Sequence, residues 1–305
     1  MTTTAAATHV AGRRPRFRWQ DYEGWLFISP WLLGLLLFGI IPFFASLYLS
    51  FTKYELLGAP EWIGLHNYQR LFFQDPRFWI SLKVTLYYSV LAVPSGLVIA
   101  FVLALFLNAD IVARAFFRTM FYLPSVTAGV ATAFLWAYLL NPTNGLVNTL
   151  LSFVGIKGPG WIYSRQWAVP ALVLMSWWGV GGTVVIYLAG LQAVPQHLYE
   201  AAEIDGASSW GRLLHVTIPM MSPTIFFTMV MGVIGSFQMF TTAYVVTNGG
   251  PADATLFYIL YLFRHAFQNF NMGYASALAW VLFVIVLGIT LGQLKLSGRW
   301  VYYEG

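Results

Sequence analysis

Charged residues are scarce in this sequence. Asp, Glu, Lys and Arg make up 9% of the 305 residues, whereas hydrophobic residues make up 59%. A soluble domain usually carries about 25% charged residues. The composition therefore excludes an ordinary soluble domain and is typical of a membrane protein.

Several kinds of reactive group are also missing. There is no cysteine, which excludes disulfides, thiolate metal sites and cysteine nucleophiles. Neither a GxxxxGK[ST] phosphate loop nor an HExxH metal motif occurs. GASSWG (206–211) approaches the GxSxG nucleophile elbow, but Trp210 stands where the second glycine belongs. We therefore expect no catalytic residue, no metal site and no cofactor held by this chain, and we expect that it is not an enzyme.

Long runs without charge are abundant instead. A membrane-spanning helix needs about 20 mostly apolar residues, and the charge-free windows, trimmed at turn signals such as NPTNG and TNGGP, predict an all-α membrane protein. The six predicted spans lie at about 25–50, 84–108, 118–140, 167–190, 223–246 and 274–296. Apart from Arg118 and Lys295 at their ends, these spans contain no Asp, Glu, Lys or Arg, which argues against ion-coupled carriers and proton pumps.

The N-terminal tail, residues 1–20, is basic. Its four arginines are Arg13, Arg14, Arg16 and Arg18. Beside an apolar span, such a cluster indicates a cytoplasmic tail touching anionic lipid rather than a nucleic-acid partner. We therefore expect both termini, the 109–117 loop and residues 191–222 to be cytoplasmic.

One segment stands out from the apolar background. PQHLYEAAEIDGASSWGRLLHVTIP (195–219) includes Glu200, Glu203, Asp205 and Arg212. Pro195 suits a helix start and Gly206 a helix end. We predict a second short helix, capped by a serine and running to about residue 217, with Pro219 ending it before the fifth span. The result is either a compact knob for a partner's groove or an ordinary interfacial helix.

The stretch EAAEIDGASSWGRLLHVTIP resembles the EAA motif of the permease subunits of ABC importers. Glu200-Ala201-Ala202 and Gly206 match the motif, whereas Ile218 before Pro219 departs mildly from it. Residues 67–79, 113–148 and 247–267 are similar to the sugar-uptake permeases of the maltose, lactose and glycerol-phosphate type. We refer to residues 195–222 as the EAA loop.

The resemblance implies a type I importer fold and several partners. It implies a second homologous permease, a cytoplasmic ATPase dimer that binds ATP and Mg²⁺, and an extracytoplasmic solute-binding protein, in a bacterial or archaeal inner membrane. Glu200 is expected to meet a basic residue of the ATPase, Ala201 and Ala202 to permit close packing, and Gly206 to make the bend. The remaining coupling residues expected from the motif are Asp205, Ala207 and Pro219.

Polar residues inside the spans are candidates for the solute path. The densest set is Ser176, Trp177, Trp178, Ser236, Gln238, Thr241 and Thr242. Such side chains either hydrogen-bond a solute or join neighbouring helices. The absence of Arg and Lys from the interior of the spans favours an uncharged sugar, because a phosphate would favour a buried cation. Glycerol-3-phosphate, its diesters or a polyol remain alternatives, as does a membrane scaffold without transport.

Overall fold

The computed structural model describes the backbone of residues 20–302 and the side chains of residues 24–302. The predicted tail, apart from Gln20, therefore lies outside the described residues. Within them the chain is mostly helical, and its main helices are α1 (20–50), α2 (66–74), α3 (Pro76–Asn108), α4 (Arg114–Tyr122), α5 (Gly129–Leu139), α6 (Leu146–Phe153), α7 (Ala168–Trp177), α8 (Gly181–Ala193), α9 (Gln196–Ile204), α10 (Ser209–Phe237), α11 (258–268) and α12 (Met272–Ser297). Shorter helical turns lie at Leu123–Val126, Trp161–Tyr163 and Ala243–Thr247.

Four helices in this described part are long and apolar enough to cross a membrane, namely α1, α3, α10 and α12. Two further pairs qualify together, α4 with α5 and α7 with α8, but they are bent by 99° and 47°. The number of spans reaches six if each bent pair counts as one. The all-α membrane fold predicted from the sequence is thus confirmed.

The chain divides into two compact units, residues 1–48 and 49–305. The described part of the first unit is residues 20–48 of the apolar helix α1, which passes through one widened turn at Leu36–Ile40. The second unit begins with a small antiparallel pair of strands, β1 (Thr52–Lys53) and β2 (Glu61–Trp62). It contains all the other helices.

Helix α3 is the centre of the second unit and packs against α7, α8 and α10. One apolar cluster surrounds its first half, including Phe78 and Tyr88. Another surrounds its last turns, including Ala104 and Leu107, together with α8. Hydroxyl groups also join the helices, because apolar packing alone gives little driving force for helix association in lipid. The hydroxyls of Ser89 and Ser236 lie 2.7 Å apart, and the Thr85 hydroxyl accepts the backbone N–H of Tyr258 at 2.9 Å.

The second span departs from its prediction of 84–108 because α3 begins at Pro76. Asp75 caps the helix by accepting the N–H groups of Arg77 at 3.0 Å and Phe78 at 3.3 Å. Proline at the first helical position loses no hydrogen bond. The helix therefore carries Arg77 and Lys83, and the expectation that the spans hold no Arg or Lys is wrong here, as it is near the ends of α4, α10 and α12, which carry Arg114 and Arg118, Arg212, and Lys295.

The fifth span also departs from its prediction of 223–246. Helix α10 runs without interruption from Ser209 to Phe237, so Pro219 does not end a separate short helix. A π-helical turn, Leu213–Thr217, lies just before Pro219. Such a turn widens the helix where the proline ring would otherwise strike the preceding carbonyls. The helix then stops at Phe237, and Gln238, Thr241 and Thr242 follow it.

The regions predicted as single spans at 118–140 and 167–190 are each broken. The first breaks at the turn Leu123–Val126, which contains Pro124. The second breaks at residues 178–180 and resumes at Gly181. A Cβ atom on Gly181 would lie 2.2 Å from the carbonyl oxygen of Phe121, so glycine is required where these two bent regions touch.

Candidate functional site

The first half of the EAA loop forms the short helix α9, which ends in a tight bend. Gly206 has φ +77°, a left-handed conformation that glycine adopts without steric cost. Its N–H donates to the carbonyl of Glu203 at 3.0 Å, and the N–H of Ala207 donates to that of Ala202 at 2.9 Å. These two bonds form a Schellman motif. The predicted glycine bend is therefore present in the structure.

Three contacts fix the bend against the start of α10. The Ser208 hydroxyl caps α10 by accepting the N–H of Gly211 at 3.2 Å. The Tyr199 hydroxyl lies 3.1 Å from that of Thr217. Arg212 and Glu203 form an ion pair at 3.4 Å, which is worth at most about 1 kcal/mol because Glu203 is exposed. Hydrogen bonds, more than charge pairing, hold α9 in place.

The remaining acids of the loop are free for a partner. Glu200 and Asp205 are exposed and form no ion pair with any residue in the described range. Ala201 is exposed, whereas Ala202 and Ala207 are half-buried beside the bend. Pro219 lies half-buried inside α10 and is not part of this surface.

Two apolar side chains on the same surface were missed by the sequence analysis. Ile204 is 87% exposed and Trp210 is 69% exposed. Large apolar side chains next to free acids are typical of an interaction surface. The available signal was Ile204 itself, an apolar residue between Glu203 and Asp205 at the end of a short acidic helix.

A cavity of about 580 Å³ lies between α3, α7, α8 and α10. We refer to it as the membrane cavity. Two of the predicted path residues, Ser176 and Ser236, line it, together with Thr183 and Thr228. The Ser236 hydroxyl is also 2.7 Å from that of Ser89, so this residue joins helices as well as lining the cavity.

A second cavity of about 260 Å³, which we call the side cavity, extends toward α5. Ser176, Trp178 and Thr242 line it, and Ser176 is therefore shared by both cavities. Trp177 instead donates its indole N–H to the Ser95 hydroxyl at 2.9 Å. Gln238 and Thr241 are exposed and line neither cavity.

A polar cluster centred on Asp75, also missed by the sequence analysis, lies at the start of α3. The carboxylate accepts hydrogen bonds from the hydroxyls of Tyr261, at 2.5 Å, and Tyr274. Burial tends to raise the pKa of Asp75, but these bonds and the two helix-capping N–H bonds outweigh it and lower the pKa below its usual value. The ionised carboxylate thus ties α3 to α11 and α12.

The lowered pKa of Asp75 predicts an acid-sensitive fold. The stabilisation is complete above the ordinary aspartate pKa of about 3.9 and is lost as the pH falls through the lower folded-state value. Asp75→Asn should cost about 1–3 kcal/mol at pH 7 and should show less loss of stability on acidification. Thermal unfolding midpoints in detergent between pH 7 and pH 3 test this, and parallel curves for the two proteins would contradict it.

Membrane-length helices around a cavity, with a short acidic helix held against the start of α10, form the arrangement expected of the membrane subunit of a transporter. The chain belongs to the family described as binding-protein-dependent transport system inner membrane component, whose model matches residues 77–294.

Curated relatives match over most of their length. The chain is 46% identical to the probable ABC transporter permease protein YesP of Bacillus subtilis (strain 168), over 94% of each chain. It is 36% identical to the lactose transport system permease protein LacF of Rhizobium radiobacter, over 90% of this chain and 94% of that one. It is 31% identical to the arabinooligosaccharides transport system permease protein AraP of Bacillus subtilis (strain 168), over 96% and 94%.

A solved structure has the same fold. A chain of a bacterial ABC transporter involved in the import of the acidic polysaccharide alginate superposes with a TM-score of 0.80 at 26% identity, covering 92% of this chain and 98% of that one. A second structure of a bacterial alginate ABC transporter, in complex with an alginate pentasaccharide-bound periplasmic protein, gives the same score at 25% identity, covering 92% and 97%. The type I importer fold expected from the EAA motif is confirmed.

Proposed function

We propose that this chain is one of two homologous permease subunits of an ATP-driven importer for a saccharide. The EAA loop docks on a separate ATPase chain that holds ATP and Mg²⁺, and a periplasmic binding protein delivers the solute. The observation that carries this proposal is the bend at Gly206, which presents Glu200, Asp205 and Ile204 to the surrounding solution. A membrane scaffold would not require such a surface.

A saccharide is supported by the cavities and by the relatives. The two cavities combine hydroxyl groups with apolar and aromatic walls, as sites for small polar ligands do. The names of the relatives include lactose and arabinooligosaccharides, and the solved importers are described with alginate. We place the EAA loop and both termini on the cytoplasmic side.

Purification of the tagged chain in mild detergent tests the assembly. We expect a second permease and an ATPase subunit to be recovered with it, and the complex to hydrolyse ATP. The binding protein that stimulates this hydrolysis can then be screened with saccharides. Recovery of a stable chain alone, without ATPase activity, would contradict the proposal and favour a scaffold.

The solute path can be tested at the residue shared by both cavities. Ser176→Phe places a large ring at their junction and is expected to lower saccharide uptake severalfold, because the ring fills space that the solute needs. Uptake by proteoliposomes containing the importer measures this. The matched control is Ser152→Phe on α6, since Ser152 is exposed and lines neither cavity. Equal uptake by the two variants would remove Ser176 from the path.

A further inference from the structure

A third cavity, of about 350 Å³, lies beside the first turns of α3. We call it the Lys83 cavity. Its lining includes Lys83 and Tyr87 on α3, Arg165 and Gln166 before α7, and Asp253. The apolar cluster at this level of α3 contains Phe78 and Tyr88, whereas α8, which leads into the EAA loop, packs against the last turns of α3. The Lys83 cavity therefore lies toward the end of α3 away from the EAA loop.

The two basic side chains of this cavity have no partner. Neither Lys83 nor Arg165 forms a hydrogen bond or an ion pair with another residue in the described part of the chain. The acid in the lining, Asp253, is already paired with Arg77 at 3.2 Å. The cavity thus has an excess of positive charge, and a cleft lined by one sign of charge concentrates ligands of the opposite sign.

The position of Lys83 in α3 also favours an anionic ligand. It stands inside a membrane-length helix, two turns from its start. Its side chain is exposed, as is that of Arg165, so both charges are accessible to an anionic group from outside this chain.

The uncharged side chains that line the cavity indicate which kind of molecule carries the anionic group. Tyr87 and Gln166 offer a hydroxyl and an amide, and Ile80, Val84 and Val169 form an apolar surface. The volume is within the range of small-molecule sites, which start near 300 Å³. A bare inorganic anion would leave the apolar surface uncovered, whereas a sugar ring offers C–H faces to it and hydroxyls to the polar groups.

We infer that the Lys83 cavity binds the carboxylate of an acidic saccharide as the solute passes the outer end of α3. The inference rests on the proposed importer function and narrows its substrate class. The guanidinium of Arg165 suits the two oxygens of a carboxylate, and Lys83 adds a second point charge. An acidic solute also replaces the uncharged sugar favoured by the sequence, because that preference depended on the absence of basic residues from the interior of the spans.

The test uses the complete importer with its binding protein in proteoliposomes and a matched pair of probes, digalacturonate and its dimethyl ester. Wild type is expected to take up the acid in preference to the ester. Lys83→Gln and Arg165→Gln should each lower the ratio of acid to ester uptake about tenfold, as expected for a charge-assisted hydrogen bond. Lys157→Gln, an exposed lysine outside this cavity, should leave the ratio unchanged, and Lys83→Arg should retain it.

The outcomes separate this inference from the function on which it rests. Wild-type uptake of the ester equal to or above that of the acid overturns the inference and leaves the importer intact. Uptake of neither probe, with no ATPase subunit recovered, defeats the proposed function instead. If Lys83→Gln lowers the affinity of the importer for the ligand-free binding protein, the carboxylate that meets Lys83 belongs to that protein and not to a solute. If the importer takes up glycerol-3-phosphate in preference to the acidic saccharide, the anionic group that binds in the Lys83 cavity is a phosphate. Either result also overturns the inference.

Discussion

Replacing Glu200 with arginine is expected to abolish saccharide uptake while the chain still folds and inserts into the membrane. Glu200 is exposed and has no ion-pair partner in the described range, so its loss should change the stability of the chain by no more than about 0.5 kcal/mol. At the proposed interface with a basic group of the ATPase, the reversed charge would cost several kcal/mol. Uptake should therefore fall by at least about a hundredfold.

The measurement is uptake by proteoliposomes alongside ATP hydrolysis by the same preparation. Loss of uptake with hydrolysis retained would identify Glu200 as a coupling residue, and loss of both would indicate that the ATPase no longer docks. Glu61→Arg on β2 is the matched control, because Glu61 is also exposed and lies outside the EAA loop. Wild-type uptake by Glu200→Arg would remove the residue from the interface.

Proline at position 206 is expected to have an equally large effect through the backbone. Proline holds φ near −65° and has no N–H, whereas Gly206 has φ +77° and donates to the carbonyl of Glu203. The bend cannot form, so α9 leaves its position against α10 and uptake is lost. Membrane insertion should persist, because α10 begins only after the bend, at Ser209.

Asparagine is the informative comparison at this position. It tolerates the left-handed conformation better than most residues, and no atom lies within 4 Å of where its Cβ would be placed. Gly206→Asn should therefore transport much better than Gly206→Pro in the same uptake assay. If both variants transport like wild type, the bend does not matter for coupling. If both fail alike, glycine is needed for contact rather than for conformation.

Local signals in the sequence were sufficient for the fold class and for the bend. Charge-free windows locate apolar helices because charge is costly in lipid, and a glycine after a short helical stretch marks a Schellman end. The same windows failed at α3, because they treated Arg77 and Lys83 as a boundary. The cap formed by Asp75 and Pro76 was a better indicator of where the helix begins.

Other features depend on tertiary structure and had no clear local signal. The continuity of α10 through Pro219 depends on a π-helical turn, and nothing in the residues LLHVT distinguishes that turn from an ordinary one. The cavities arise where several helices meet, so the sequence could rank Ser176 and Gln238 only by polarity. The structure places Ser176 between two cavities and leaves Gln238 exposed outside both.

The continuity of α10 has a mechanical consequence. Its 29 residues form a rod about 43 Å long at 1.5 Å per residue. Ser208 caps one end, where α9 is attached, and Gly232 and Ser236 line the membrane cavity near the other. Tilting such a rod by about 10° shifts one end relative to the other by about 7 Å, more than a full helical turn. A rod of this length can act as a lever arm, so in the proposed importer a displacement of α9 would also move the residues of α10 that line the membrane cavity.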